Sequence, residues 1–184
     1  MELRKGDVLL RPIKMEDAKA VVQMANNEKV SANMRDTFPF PYRLKDAKTF
    51  IRNFLKQDVF MVFAIFYKGI YTGNIGVFPG ADVYRFGAEI GYFLGEPYWN
   101  KGIMSVALEL ATEYAFREMG IIRLHAGVYE YNTASMKVLE KCAYQKEGIA
   151  RKAVFKNGNF RDEHRYALVK PSYVDIPDTH FDKY

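Results

Sequence analysis

A chain of 184 residues, 49% hydrophobic and 27% charged, has the size and apolar content for one globular domain with a full core, and two domains would be cramped. Its single cysteine, Cys142, excludes an internal disulfide and any multi-cysteine metal site. The three histidines lie far apart without ligand spacing, so no metal is expected. A formal net charge of +5 favours anionic partners, yet no run of Lys or Arg exceeds two residues, which argues against a specific nucleic-acid tract.

The first residues, Met1 to Asp7, lack the apolar run of a signal peptide, and no later stretch approaches membrane-spanning length. A cytoplasmic protein with no membrane contact is expected. Val8 to Ile13 reads as an opening strand. Glu16 to Ala25 follows, with Ala18, Val21, Val22 and Ala25 at helical spacing. Thr37-Phe38-Pro39-Phe40-Pro41-Tyr42 cannot take regular structure because of its two prolines, and its aromatics suit a pocket wall. Ala47, Phe50, Ile51, Phe54 and Leu55 then share one face of a helix. Val59 to Tyr67 is almost wholly apolar, as a buried strand would be, and Lys68-Gly69 turns it into a second strand, Ile70 to Phe78. Gly87 to Leu94 adds a third strand to an antiparallel meander.

Tyr98-Trp99-Asn100-Lys101-Gly102-Ile103-Met104-Ser105 is a basic, glycine-containing turn that runs into a periodic helix. Gly102 permits close backbone approach, and the helix start aims unpaired N–H groups and a positive dipole end at whatever lies before it, so a phosphate is the natural occupant. The competing reading is a plain helix start that contains a glycine. That helix carries Ile103, Val106, Ala107, Leu110, Ala111, Tyr114 and Ala115 on its core face and ends near Gly120. Ile121 to Tyr129 reads as a strand. A short helix follows, with Asn132 as its N-cap, and two last strands flank the hairpin signal Asn157-Gly158.

Three of these segments, in this order, resemble the GNAT superfamily of acetyl-CoA-dependent N-acetyltransferases, and most closely its ribosomal-protein N-terminal alanine acetyltransferase (RimJ/RimL-like) branch. They are Glu89-Ile90-Gly91-Tyr92, the Tyr98 to Met104 turn, and Asn132-Thr133-Ala134-Ser135 followed by Leu139-Glu140-Lys141-Cys142-Ala143-Tyr144. The resemblance covers residues 8–170 as one acetyltransferase domain and leaves 171–184 as a C-terminal tail. It implies an α/β (α+β) single-domain fold: a mixed, mostly antiparallel sheet flanked by helices and splayed between two central strands, with acetyl-CoA in the gap.

The resemblance further implies that backbone N–H groups of Trp99, Asn100, Lys101, Gly102, Ile103, Met104 and Ser105 hold the pyrophosphate. Phe93 and Leu94 would offer main-chain groups to the pantetheine arm, Asn132 would bond that arm near the thioester, and Lys141 would meet a phosphate. The chain departs from the superfamily turn at Trp99 and Met104, and from the branch at Asn100, where glycine is common. It also carries Leu139 where many members place a tyrosine acid. Ser135 is the substitute that the branch suggests, against the plainer reading of a first-turn residue making local hydrogen bonds. Val154 stands where some branch members carry a glutamate.

The implied reaction is direct attack of a primary amine on the thioester, for which a base must remove one proton. Glu89, on the strand beside the gap, is the candidate, and the alternative is a structural carboxylate. Asp162 and His164 are weaker candidates that share a face with Tyr166. His125 reads as a solvated-face residue and Cys142 as core. A main-chain N–H near Phe93 would polarise the thioester carbonyl. Phe38, Phe40, Tyr42 and Tyr84 are candidate acceptor-pocket walls, although core or lid packing is the commoner use of aromatics. The acceptor could be a protein N-terminal amine, a polyamine or an aminoglycoside, and the net charge leans toward an amine presented on an anionic ribosome. A non-catalytic acetyl-CoA sensor, a pure interaction module and a homodimer all stay open.

Overall fold

The computed structural model describes residues 1–56 and 60–171. Val59 and the tail beyond Pro171 lie outside the described residues. In chain order the elements are β1 (Leu3–Lys5), β2 (Val8–Pro12), α1 (Ala18–Ala25), α2 (Glu28–Ser31), α3 (Leu44–Leu55), β3 (Met61–Tyr67), β4 (Ile70–Pro79), β5 (Gly87–Leu94), α4 (Ile103–Glu118), β6 (Arg123–Tyr129), α5 (Thr133–Lys141), β7 (Gln145–Lys156) and β8 (Asn159–Val169). Two short elements have no clear sequence pattern. β1 has only three residues, and α2 is a single turn capped by Asn27, whose side chain accepts from the N–H groups of Lys29 and Val30.

The strands form one mixed sheet in the order β1-β2-β3-β4-β5-β6-β8-β7. Each neighbouring pair is antiparallel except β5 with β6. A parallel pair needs a crossover, and α4 supplies it. The apolar run of β3 is explained by burial on both faces: Phe63 and Ile65 join one core beneath α4 and α5, while Val62 and Ala64 join a second core beneath α1 and α3. In α4, Ala107, Leu108, Ala111 and Ala115 are wholly buried, so the small residues bring the helix close to the sheet while Leu108 contributes about 1.5–3 kcal/mol of burial. Asn157 and Gly158 both adopt positive φ, 51° and 75°, at the β7–β8 turn, as a tight hairpin requires.

The feature that positions the site is the brevity of the parallel pairing. β5 and β6 are in register only at Gly87 with Arg123, Ala88 with Leu124, and Glu89 with His125. Beyond Glu89 the strands part, each still paired on its other edge. Among the described residues no helix is long and apolar enough to cross a membrane, and no three His, Cys, Asp or Glu side chains gather as a metal site.

Candidate active site

The parted strands open a cleft of about 1430 Å³ that runs from the turn before α4 to the loop before α3. Its first wall is the free edge of β5. Gly80 donates to the Gly87 carbonyl at 2.9 Å and Gly95 to the Thr72 carbonyl at 2.8 Å, and the register between β4 and β5 is unbroken. Antiparallel alternation therefore turns the main-chain groups of Glu89, Gly91 and Phe93 toward β4, and those of Ile90, Tyr92 and Leu94 toward the gap. This corrects the expectation for Phe93, whose backbone is engaged by the neighbouring strand. Leu94 is half available, because its carbonyl accepts from Trp99 Nε1 at 2.7 Å.

That indole bond fastens the end of β5 to the turn. After Trp99, Asn100 (φ 59°) and Gly102 (φ 73°) are both left-handed, so asparagine here takes the geometry that glycine more commonly supplies. Two left-handed residues around Lys101 make a concave row of N–H groups, the kind of nest that binds anions. The row continues into the first turn of α4, whose N–H groups have no partner within the helix. Ile103, Met104 and Ser105 are buried, so only their backbone is on offer. Exposed Lys101, Lys137 and Lys141 line the same end. Lys137 was not singled out by the sequence, although its place one helical turn before Lys141 was readable.

At the middle of the cleft, Asn132 caps α5 by accepting from the Ser135 N–H at 3.2 Å. The amide nitrogen of Asn132 remains to offer a ligand. Ser135 Oγ lies 2.8 Å from Tyr92 Oη, and burial pushes that phenol well above its ordinary range. Leu139 is wholly buried in the core.

The acceptor end is built on the opposite face of the sheet. Glu89 is about one-third exposed and forms an ion pair with Arg35. Glu163 lines the cleft from β8: a Cβ added to Gly127 would meet Glu163 Oε1 at 2.6 Å, so the glycine makes room for this side chain. Asp162 and His164 do not line the cleft, because alternation places them with Tyr166, whose hydroxyl reaches Glu140 on α5 at 2.9 Å. Lys156 binds Asp36 at 2.7 Å. Phe38 packs against Tyr42 and Phe93, with ring centroids 4.6 and 5.4 Å apart, and burial moves the Tyr42 phenol up to about 12. Asn74 lies buried on the floor. Tyr71 donates to its Oδ1 at 2.8 Å, and its Nδ2 has no partner.

This fold, with its parted strands and N–H cradle, can be compared with known proteins. Residues 7–145 match the family model described as Acetyltransferase (GNAT) domain. The chain belongs to the GNAT acetyltransferase family. It is 30% identical over 168 residues to an uncharacterized N-acetyltransferase, p20, of Bacillus licheniformis, covering 90% of this chain and 94% of that one. Two Escherichia coli (strain K12) relatives have stated acceptors. The [Ribosomal protein uS5]-alanine N-acetyltransferase is 30% identical over 131 residues, 67% of this chain and 65% of its own. The spermidine N(1)-acetyltransferase is 26% identical over 168 residues, 91% and 88%. RimL, the ribosomal L7/L12 α-N-protein acetyltransferase solved with coenzyme A, superposes with a TM-score of 0.84 at 20% identity, over 92% of this chain and 98% of that one, and so shares the fold.

The chain is thus an acetyl-CoA-dependent N-acetyltransferase, and its cleft suits the co-substrate: backbone donors and three exposed lysines lie at one end and a splayed strand edge leads inward. Of the aromatics expected around a GNAT acceptor, Phe38 and Tyr42 line the cleft, whereas Phe40 and Tyr84 do not. Phe40 is 51% exposed on the outer side of its loop, and Tyr84 is 76% exposed at the tip joining β4 to β5. His125 is exposed, as expected for a solvated face. Cys142 is half-buried, and its thiol donates to the Ser105 carbonyl at 3.4 Å.

Proposed function

We propose that this enzyme acetylates the α-amino group of a protein or peptide N-terminus. One observation carries the reading: three of the four carboxylates lining the cleft are already ion-paired within the chain itself. Asp36 pairs with Lys156, Glu89 with Arg35 and Glu163 with Arg165, while Asp46 accepts from the Arg43 N–H. A polyamine or an aminoglycoside carries several ammonium groups, and each one brought out of water needs a counter-charge. Among the described residues lining the cleft only Asp46 lacks a cation of its own, one counter-charge where a polyamine needs several. A peptide N-terminus brings a single ammonium and so needs only one counter-charge. The uS5-alanine relative and the net charge of +5 support the same reading.

Acetyl-CoA supplies the acetyl group as a thioester. The chain contributes the remaining parts. Glu89, oriented by Arg35, takes the proton that the ammonium must lose before it has a lone pair, directly or through water. The N–H groups of Tyr92 and Leu94, turned into the gap, are the donors available to a developing oxyanion. Ser135 provides the hydroxyl for the departing sulfur, a role Leu139 cannot fill.

The relative that acetylates spermidine defines the competing outcome. With purified enzyme and acetyl-CoA, a panel of short peptides and spermidine are offered at equal concentration and the products read by mass spectrometry. Acetylation of peptide α-amines in preference to spermidine is expected. Preferential acetylation of spermidine would overturn the reading.

A further inference from the structure

Although α5 carries leucine at position 139, a tyrosine hydroxyl still reaches this part of the cleft, delivered from the facing wall. Tyr92 shares the β5 face that carries Ala88, Ile90 and Leu94 into the core beneath α4 and α5. Its Oη lies 2.8 Å from Ser135 Oγ. Ser135 is thereby fixed from two directions, its N–H by Asn132 and its side chain by Tyr92. Without that second bond a first-turn serine would be free to rotate toward a backbone carbonyl of the preceding segment.

We propose that Tyr92 is a positioning residue that donates to Ser135 Oγ, so that the single hydrogen of the serine hydroxyl is left to bond the thiolate departing from acetyl-CoA. A hydroxyl has one hydrogen and two lone pairs. If serine donated to tyrosine, nothing would remain for the sulfur, whereas the phenol as donor leaves that hydrogen free and polarises it. Neither hydroxyl gives up a proton: as the C–S bond breaks its electron pair stays on sulfur, and the two protons released are the ammonium's, one lost before attack and one from the tetrahedral intermediate, each taken by Glu89 and passed on to water. Burial, which keeps the phenol protonated, suits a donor that never ionises. The inference rests on the role given to Ser135 in the proposed mechanism.

The test needs no acceptor. Coenzyme A, as the free thiol, is bound to the enzyme and its thiolate followed by ultraviolet absorbance against pH. The wild type is expected to lower the pKa of the bound thiol relative to free coenzyme A. Tyr92→Phe, which keeps the ring, and Ser135→Ala should each raise it back by about one unit, a tenfold change in thiolate population. The double variant should match the single ones, because the two groups act as one chain. In turnover, Tyr92→Phe should lower kcat about tenfold and leave KM for acetyl-CoA unchanged. A Tyr92→Phe protein that titrates like the wild type, or effects that add in the double variant, would overturn the inference. An enzyme that proves to acetylate spermidine would sink the acceptor reading and leave this titration unaltered, so the two failures are distinguishable.

Discussion

The two ends of the cleft use charge in opposite ways. Lys101, Lys137 and Lys141 surround the N–H cradle at the acetyl-CoA end, and among the described residues no carboxylate pairs with any of them. At the acceptor end Arg35 and Lys156 are themselves bound to Glu89 and Asp36. The first arrangement leaves a positive field for a polyanion to complete. The second is largely neutralised in advance, with Asp46 alone lacking a cationic partner, so it discriminates more by shape and hydrogen bonding than by attraction for extra ammonium groups. Recognition of the shared co-substrate is in this way separated from recognition of the amine.

If that division is real, substitutions at one end should leave the other intact. The largest effect is expected for Glu89→Gln, which should lower kcat by about 100-fold or more and leave acetyl-CoA affinity unchanged; a comparable loss of acetyl-CoA affinity would erase the distinction between the ends. Gly102→Glu combines about 1–2 kcal/mol of left-handed strain with repulsion of the pyrophosphate, and calorimetry should show acetyl-CoA binding weakened about 100-fold in a protein that still folds. Behind the cradle, burial and then the charge of Glu109 push the Cys142 thiol up to about 11. A raised thiol pKa means less thiolate at pH 8, offset in part by its greater nucleophilicity, so alkylation should run about 20-fold slower than for a free cysteine and accelerate as pH approaches 11. Fast labelling at pH 8 would show that this side of α5 is open. The smallest change should follow Arg165→Ala, which frees Glu163 to receive a second ammonium: turnover of spermidine should rise about fivefold, by an amount typical of one exposed ion pair, while acetyl-CoA affinity holds.

The same contrast separates what the sequence could tell from what it could not. The cradle was readable because backbone conformation is encoded locally: Asn100 and Gly102 are residues that accept left-handed geometry, and the helix behind them has an unmistakable period. The Asn157-Gly158 hairpin and the Asn132 cap were legible for the same reason. The acceptor end depends instead on pairs far apart in the chain. Arg35 meets Glu89 across 54 positions, Asp36 meets Lys156 across 120, and Tyr92 meets Ser135 across 43. No local pattern announces such pairs. The main chain of Phe93, expected to serve the gap, and the side chain of His164, a candidate base, both face away from it, because a pleated strand reverses both its side chains and its hydrogen bonds at every step and only the register decides which set faces the cleft. The register of β8 is obscured further by the shift between Ala150 and Val154 on β7.

The most direct test joins the two ends in one ligand. Coenzyme A linked through an acetyl bridge to the α-amine of a peptide, and the same molecule built on spermidine, would be titrated calorimetrically against the wild-type enzyme alongside coenzyme A alone. Tighter binding of the peptide conjugate than of either other ligand is the predicted result. A spermidine conjugate that binds tightest would contradict the account, because it would mean that the carboxylates of the acceptor end are open to ammonium groups after all.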